Sequence, residues 1–336
     1  MVTNVAEELR RAFADAEQVL ILSHDNPDPD ALASAFALQT ILQTLVGCAA
    51  TVAYAGIIGR AENRAMLHEL ELAPVPLEKL AFDEFDGIAM VDTQPGFGNN
   101  SLPHGTTPWA VIDHHPSRGA IPGVRFLDIR EGYGATSTML AEYADACGVH
   151  LGQQLVTAIF YAIKSETQEL GREASDADRR VYLRLFTTSD KEALARIQRA
   201  RVPREYFRAF GLAIESAEVY GRTVVSDLRR VENPDFVAEI ADFLLRLEGV
   251  DWACCMGRYG DLLVLSLRTT DAEAHAGKVI RSVVTGLGSA GGHGMSAGGR
   301  IPLGSESYAK VSAQVQDILL RALGCDRRPG EPLVIS

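Results

Sequence analysis

Three apolar runs, each ending in a short cluster of aspartate and histidine, constrain this 336-residue chain more than any other feature. Val19-Leu20-Ile21-Leu22 leads into His24-Asp25-Asn26-Pro27-Asp28-Pro29-Asp30, Gly87-Ile88-Ala89-Met90-Val91 into Asp92-Thr93, and Trp109-Ala110-Val111-Ile112 into Asp113-His114-His115. Uninterrupted apolar runs of this length read as strands buried on both faces, as in parallel sheets, and open parallel sheets hold ligands at the carboxyl ends of their strands. Clusters far apart in sequence therefore converge. Carboxylates and imidazoles gathered on one edge are the donors that two divalent cations about 3.5–4 Å apart require, with one carboxylate shared between them.

The segments between these runs favour helices. A helix is predicted from 5 to 17, and another from 31 to 46 with the small residues Ala31, Ala33, Ser34, Ala35 and Ala37 on a close-packing face. A strand at 50–55, a helix at 62–70 and later helices at 137–147, 152–163 and 177–187 continue the alternation. The economical fold is α/β, with a parallel sheet and helices on both faces over residues 1–188. From 189 to 218 the chain becomes polar and Arg-rich (Arg196, Arg199, Arg201, Arg204, Arg208) around Pro203, which reads as a helical linker. Strands at 222–228, 252–258 and 262–268, with helices at 235–247 and 307–323, then predict a smaller mixed-sheet α/β domain over 219–336.

Composition narrows the function. A formal charge of −12 disfavours long duplex nucleic acid, whose affinity comes from many basic contacts to phosphate, and leaves short phosphorylated substrates open. No uncharged apolar stretch is long enough to span a bilayer, and Met1 to Glu8 shows neither a basic nor an apolar leader, so a cytoplasmic chain with no membrane partner is expected. Five cysteines without a C-x-x-C pair argue against disulfides and structural zinc. Adjacent Cys254 and Cys255 should point to opposite faces of a strand and pack in the core.

A fourth motif, Gly291-Gly292-His293-Gly294-Met295-Ser296-Ala297-Gly298, completes an ordered set. With it the chain resembles the DHH phosphoesterase superfamily, in the two-domain branch that ends in a DHHA1 domain and includes nanoRNases and 3′-phosphoadenosine 5′-phosphate phosphatases. The first cluster matches that family's H-x-N-P-D-x-D-A motif, Asp92 its lone second-motif aspartate, and Asp113-His114-His115 its name-giving triplet. The resemblance implies one metal on His24, Asp28 and Asp92 and a second on Asp30, Asp92 and His114, with Asp92 bridging. It places the family's fourth-motif acid at Glu166, where this chain has glutamate instead of aspartate. His115 is then the substrate-side histidine and Asp113 the residue that orients an imidazole or caps the following turn. The second domain is implied to contribute Arg268, in Leu265-Ser266-Leu267-Arg268-Thr269, as a phosphate clamp, together with Gly291, Gly292 and His293 of a glycine-rich loop whose glycines allow close backbone approach and whose unpaired amides form a concavity for anions. Pro29 between Asp28 and Asp30, and Ser296 for the family's alanine, are departures that remove no ligand.

The expected activity is hydrolysis of short oligonucleotides, linear or cyclic dinucleotides, or nucleotide 3′-phosphates in a cleft between two domains. The implied cofactors are two divalent ions, Mn2+ first, with Mg2+ or Co2+ as alternatives, and a homodimer is compatible. Two other readings stand beside it: an inorganic pyrophosphatase, disfavoured because no lysines follow Arg268, and a catalytically weak nucleotide-binding regulator, suggested by Glu166. Gly132-Tyr133-Gly134-Ala135-Thr136-Ser137 is read as a turn in which Thr136 or Ser137 caps the next helix, in preference to a phosphate-facing loop. Asp25 is read as facing solvent or supporting the ligands. The remaining histidines, His68, His104, His150 and His275, are assigned to surface or packing, with His104 the nearest to a cluster.

Overall fold

The first 200 residues build α1 (Val5–Ala12), β1 (Gln18–Leu22), α2 (Pro29–Leu45), β2 (Ala49–Tyr54), α3 (Ala61–Glu69), β3 (Val75–Pro76) and β4 (Gly87–Val91) in turn. They continue through β5 (Ala110–Asp113), β6 (Phe126–Ile129), α4 (Thr136–Cys147), α5 (Gln153–Glu166), α6 (Asp176–Phe186) and α7 (Lys191–Gln198). The structure is a computed structural model and describes residues 4–117, 119–325 and 329–334. The chain separates into two units, Met1–Ala200 and Arg201–Ser336. The segment read as a linker, 189–218, is mostly helix and is split by this boundary, with α7 in the first unit.

The strands of the first unit form one parallel sheet in the order β3-β2-β1-β4-β5-β6. Between β1 and β4 the order reverses: the chain runs from β1 out to β3, then returns to β1's other side. Strands flanking such a switch point diverge in their connections, which leaves a crevice at their carboxyl ends. The first and second Asp/His clusters leave the sheet there. One face of the sheet, with Val19, Ile21, Val52, Val91 and Ile112, packs against α1, α2, α4 and α5 in the larger core. The opposite face, with Leu20, Leu22, Ile88, Met90 and Val111, is covered by 3-10 turns at Leu77–Lys79 and Phe82–Glu84 and by loop residues such as Leu102.

Pro29 opens α2. A proline at the first helical position gives up an N–H that would have no partner and arrives with helical φ, while the Asp28 carboxylate before it accepts the Ala31 N–H at 3.0 Å. The departure from the family's first motif is thus a helix start that fixes Asp28.

The second unit comprises α8 (Arg204–Ser216), β7 (Glu218–Tyr220), β8 (Thr223–Arg230), α9 (Asp235–Leu244), β9 (Trp252–Tyr259), β10 (Leu262–Thr269), α10 (Ala276–Val284), β11 (Ser289–His293), β12 (Ser296–Pro302), α11 (Tyr308–Ala322) and β13 (Glu331–Pro332). Its sheet runs β11-β12-β10-β9-β8-β7-β13, antiparallel except where β8 meets β9. Cys254 and Cys255 on β9 are both fully buried and face different cores, as their adjacency predicts.

One expectation is corrected. The glycine-rich stretch after residue 285, read from sequence as an open loop with amides left for anions, is a hairpin: Gly291 pairs with Gly298 and Gly292 with Ala297 across a turn at Gly294-Met295. Its glycines serve close approach. A Cβ on Gly277 of α10 would strike the Gly292 carbonyl, and one on Gly292 would fall 2.5 Å from Ala297 Cα.

Candidate metal centre

Asp92, the first residue past β4, has a left-handed backbone (φ 58°) that few side chains tolerate. Its amide still reaches across to the Ile112 carbonyl at 2.9 Å. The turn buries the carboxylate, 2% exposed, at the crevice beside β1.

Two imidazoles face it from opposite sides. His24 Nε2 lies 3.5 Å from Asp92 Oδ2, and His114 Nε2 lies 3.6 Å from Asp92 Oδ1. Each ring is turned by its other nitrogen: His24 Nδ1–H donates to the Asp25 carbonyl at 3.0 Å and His114 Nδ1–H to the Tyr133 carbonyl at 3.0 Å. That pattern fixes which nitrogen is left to ligate. Separations of this size are long for a hydrogen bond and close to those between two ligands of one cation at about 2.0–2.2 Å from each. Asp28 Oδ2 completes the first group, 3.7 Å from His24 Nε2. Geometry alone gathers two triads, His24-Asp28-Asp92 and Asp92-His114-His115, and Asp92 is common to both.

His115 is drawn closer to the centre than the sequence reading put it. Its Nδ1–H is held by Asp113 Oδ1 at 2.8 Å, and the same nitrogen is 3.7 Å from Asp92 Oδ1. Burial works against a charged ring, yet Asp113 and Asp92 outweigh it and push the imidazole up to about 9. Asp113 is itself fully buried and receives the Gln94 amide at 2.7 Å. Gln94 had no signature in sequence beyond following Asp92 by two positions.

Asp30 and Glu166 stand outside both triads. Asp30, 1% exposed, accepts the Thr136 and Ser137 amides at 2.7 and 2.8 Å, one on each oxygen. Each of those oxygens keeps a second lone pair. Glu166 ends α5, and its carboxylate is 3.4 Å from the Arg172 guanidinium. Burial, followed by the charges of neighbouring acids, pushes the carboxyls of Asp30 and Glu166 upward. His24 shows the converse. Burial opposes its charge, but Asp28 and Asp92 raise it well above the ordinary imidazole range. Carboxylates packed this tightly call for positive charge, and cations and protons compete for the same imidazoles. The donor set fits divalent cations.

The cap assigned to Thr136 or Ser137 is a second correction. The N-cap of α4 is Ala135, without a side-chain bond, and the open amides of the helix are met by Asp30 from α2. Thr136 Oγ1–H donates to Asp92 Oδ1 at 2.9 Å instead. A cap supplied by another element leaves no trace in the local sequence. Asp25 receives the Ser101 hydroxyl at 2.9 Å and holds the 99–101 loop. His104 is exposed and joins no ligand group among the described residues.

Residues 18–163 match the DHH family, N-terminal domain. These residues thus form a DHH-family N-terminal domain. An uncharacterized protein of Methanocaldococcus jannaschii is 32% identical over 288 residues, 85% of this chain, and the chain spans 58% of that relative's length. An exopolyphosphatase-related protein of Bacteroides fragilis shares the fold at a TM-score of 0.74 and 15% identity, over 94% of this chain and 96% of its own. RecJ of Thermus thermophilus, solved with Mn2+, does so at 0.54 and 14%, over 98% of this chain and 56% of its own. These likenesses concern the fold alone.

In the second unit Arg268 is tied down. Its Nε–H donates to Asp242 Oδ1 at 2.5 Å and its Nη1–H to Ser266 Oγ at 2.7 Å, which holds the guanidinium in one orientation. Gly291 and Gly292 lie in the edge strand β11. His293 ends that strand, and its side chain lies outside the described residues.

Proposed function

We propose that the chain is a divalent-metal-dependent phosphohydrolase that cleaves phosphate esters of short nucleotides: oligonucleotides of a few residues, linear or cyclic dinucleotides, or nucleotide 3′-phosphates. The observation that carries this reading is the Asp92 carboxylate set between the Nε2 atoms of His24 and His114, one to each oxygen. His24, Asp28 and Asp92 would hold one ion, and Asp92 and His114, with the open lone pairs of Asp30 and with Glu166, a second. Divalent ions so placed supply Lewis acidity toward phosphoryl oxygens and lower the pKa of water. Mn2+ is the favoured ion, supported by the RecJ structures that carry it.

The protein's own groups complete the chemistry. His115, oriented by Asp113, offers a proton and a positive charge beside the acids, suited to a phosphoryl oxygen or a departing alkoxide. The formal charge of −12 makes a short substrate more favourable than a long duplex. An exonuclease and an exopolyphosphatase-related protein among the structures of the same fold support hydrolysis at phosphorus.

An activity panel with Mn2+ tests the reading. Dinucleotides, RNA five-mers and 3′-phosphoadenosine 5′-phosphate should include at least one substrate turned over far faster than pyrophosphate. A protein that turns over pyrophosphate alone is a pyrophosphatase, and one that binds Mn2+ and turns over neither pyrophosphate nor the nucleotides is a regulator.

Arg268 is the second unit's candidate for the substrate phosphate. Arg268→Ala is expected to leave Mn2+ affinity unchanged while lowering kcat/KM about 10- to 150-fold, the worth of one charge-assisted contact at about 1.5–3 kcal/mol. Steady-state kinetics on the best panel substrate, beside Mn2+ calorimetry, reads both numbers. An unchanged kcat/KM would confine Arg268 to its bonds with Asp242 and Ser266.

A further inference from the structure

The segment from Arg130 to Ser137, a loop that runs into the first residues of α4, touches the metal centre at several points, although it contributes no ligand of its own. The Tyr133 carbonyl orients His114, the Thr136 and Ser137 amides hold Asp30, and the Thr136 hydroxyl holds Asp92. Asp128 and Glu142 hold its Arg130 and Tyr133 side chains, and a further carboxylate holds the end nearest the metal centre. Asp178 in α6 is fully buried, and its Oδ2 accepts the Gly134 N–H at 2.7 Å while its Oδ1 accepts the Thr138 hydroxyl at 2.5 Å. Gly134 precedes Thr136 and Thr138 follows Ser137, so the two bonds bracket the residues that hold Asp30 and Asp92. Oδ2 also takes the Ser175 N–H at 2.7 Å and the Ser175 hydroxyl at 2.5 Å, half of the capping box that starts α6.

Gly134 is sealed into this position. A Cβ there would come within 2.8 Å of Thr167 Cγ2, 2.9 Å of the Glu173 carbonyl and 3.0 Å of Asp178 Oδ2. The loop therefore cannot slide along Asp178, and a carboxylate with four donors in a buried setting has no cheaper arrangement.

We infer that Asp178 is a positioning residue for the proposed metal centre, acting through Gly134 and Thr138 to set the Thr136 and Ser137 groups that orient Asp92 and Asp30. It touches neither ligand. The alternative is that Asp178 only starts α6, a local task it shares with Ser175. The two roles separate because Ser175 belongs to the cap alone.

The inference rests on the metal-centre reading, and the experiment tells the two apart. Mn2+ binding to the full chain is measured by calorimetry for the wild type, Asp178→Ala, Asp178→Asn, Gly134→Ala and Ser175→Ala, with thermal unfolding recorded for each. Asp178→Ala removes all four bonds and should weaken Mn2+ binding about 10- to 100-fold, the range for groups that orient ligands. Asp178→Asn should stay near the wild type, because the Thr138 hydroxyl can turn to accept from the amide while the remaining oxygen keeps Gly134 and Ser175. Ser175→Ala should lower the melting temperature and leave Mn2+ affinity alone. Gly134→Ala displaces the loop with Asp178 intact, so it should reproduce the loss even where Asp178→Ala fails to fold. Wild-type affinity in Gly134→Ala and in folded Asp178→Ala overturns the inference, as does an equal loss in Ser175→Ala. A wild-type chain that binds no Mn2+ overturns the metal centre itself, and this inference with it.

Discussion

Asp92→Asn is expected to keep the fold and lose both metals. The substitution preserves shape, and asparagine tolerates the left-handed backbone (φ 58°) that position 92 requires, so far-ultraviolet circular dichroism should be unchanged. What disappears is the negative charge that both triads share. Removing a group that merely orients a ligand costs about 10- to 100-fold in metal affinity, and loss of the shared ligand itself should exceed that range for each ion. Calorimetry with Mn2+ measures it directly. Two ions bound with wild-type affinity in Asp92→Asn would remove Asp92 from the centre and with it the bridge on which the proposed chemistry depends.

The second large effect is thermal. Asp28, Asp30, Asp92 and Glu166 sit close enough together that each acid raises or is raised by another, and without a metal they are offset by His24, His114, His115 and Arg172 and by hydrogen bonds from neighbouring amides. An ion bound to the folded state alone adds about 2.7 kcal/mol when present at a hundred times its Kd. For a unit of about 200 residues that corresponds to a rise of roughly 5–10 °C in Tm. Adding Mn2+ to chelator-treated protein should give that rise, chelator should reverse it, and Asp92→Asn should show neither. A Tm indifferent to Mn2+ in the native chain would mean that the folded state binds no Mn2+ in preference to the unfolded chain, against the metal centre.

The convergence of the Asp/His clusters was more legible in the sequence than the contacts that hold them. Val19–Leu22, Gly87–Val91 and Trp109–Ile112 announce buried strands because parallel pairing on two sides leaves no polar alternation, and the switch between β1 and β4 gathers the residues that follow them. What escaped was tertiary in origin. Thr136 and Ser137 look like caps by type, yet the acid that caps their helix comes from α2, over a hundred positions earlier. Asp178 reads as an ordinary first-turn acid of α6, since its bonds to Gly134 and Thr138 depend on packing between helices. The glycines of β11 and β12 suggested a loop because residues without side chains show no period, and the contact that requires them, Gly277 against Gly292, is also nonlocal. Two- to four-residue strands such as β3 and β6 are too short for any period to register.

Cys254 and Cys255 give β9 a property that neither residue has alone. With one thiol sealed in the core beneath α10 and α11 and the other in the core beneath α8 and α9, the strand is a common wall between two otherwise separate interiors. Neither interior can loosen without uncovering its own sulfur. Consecutive positions thus act as paired chemical reporters, one for each half of the unit, and the order in which reagents find them records which half opens first.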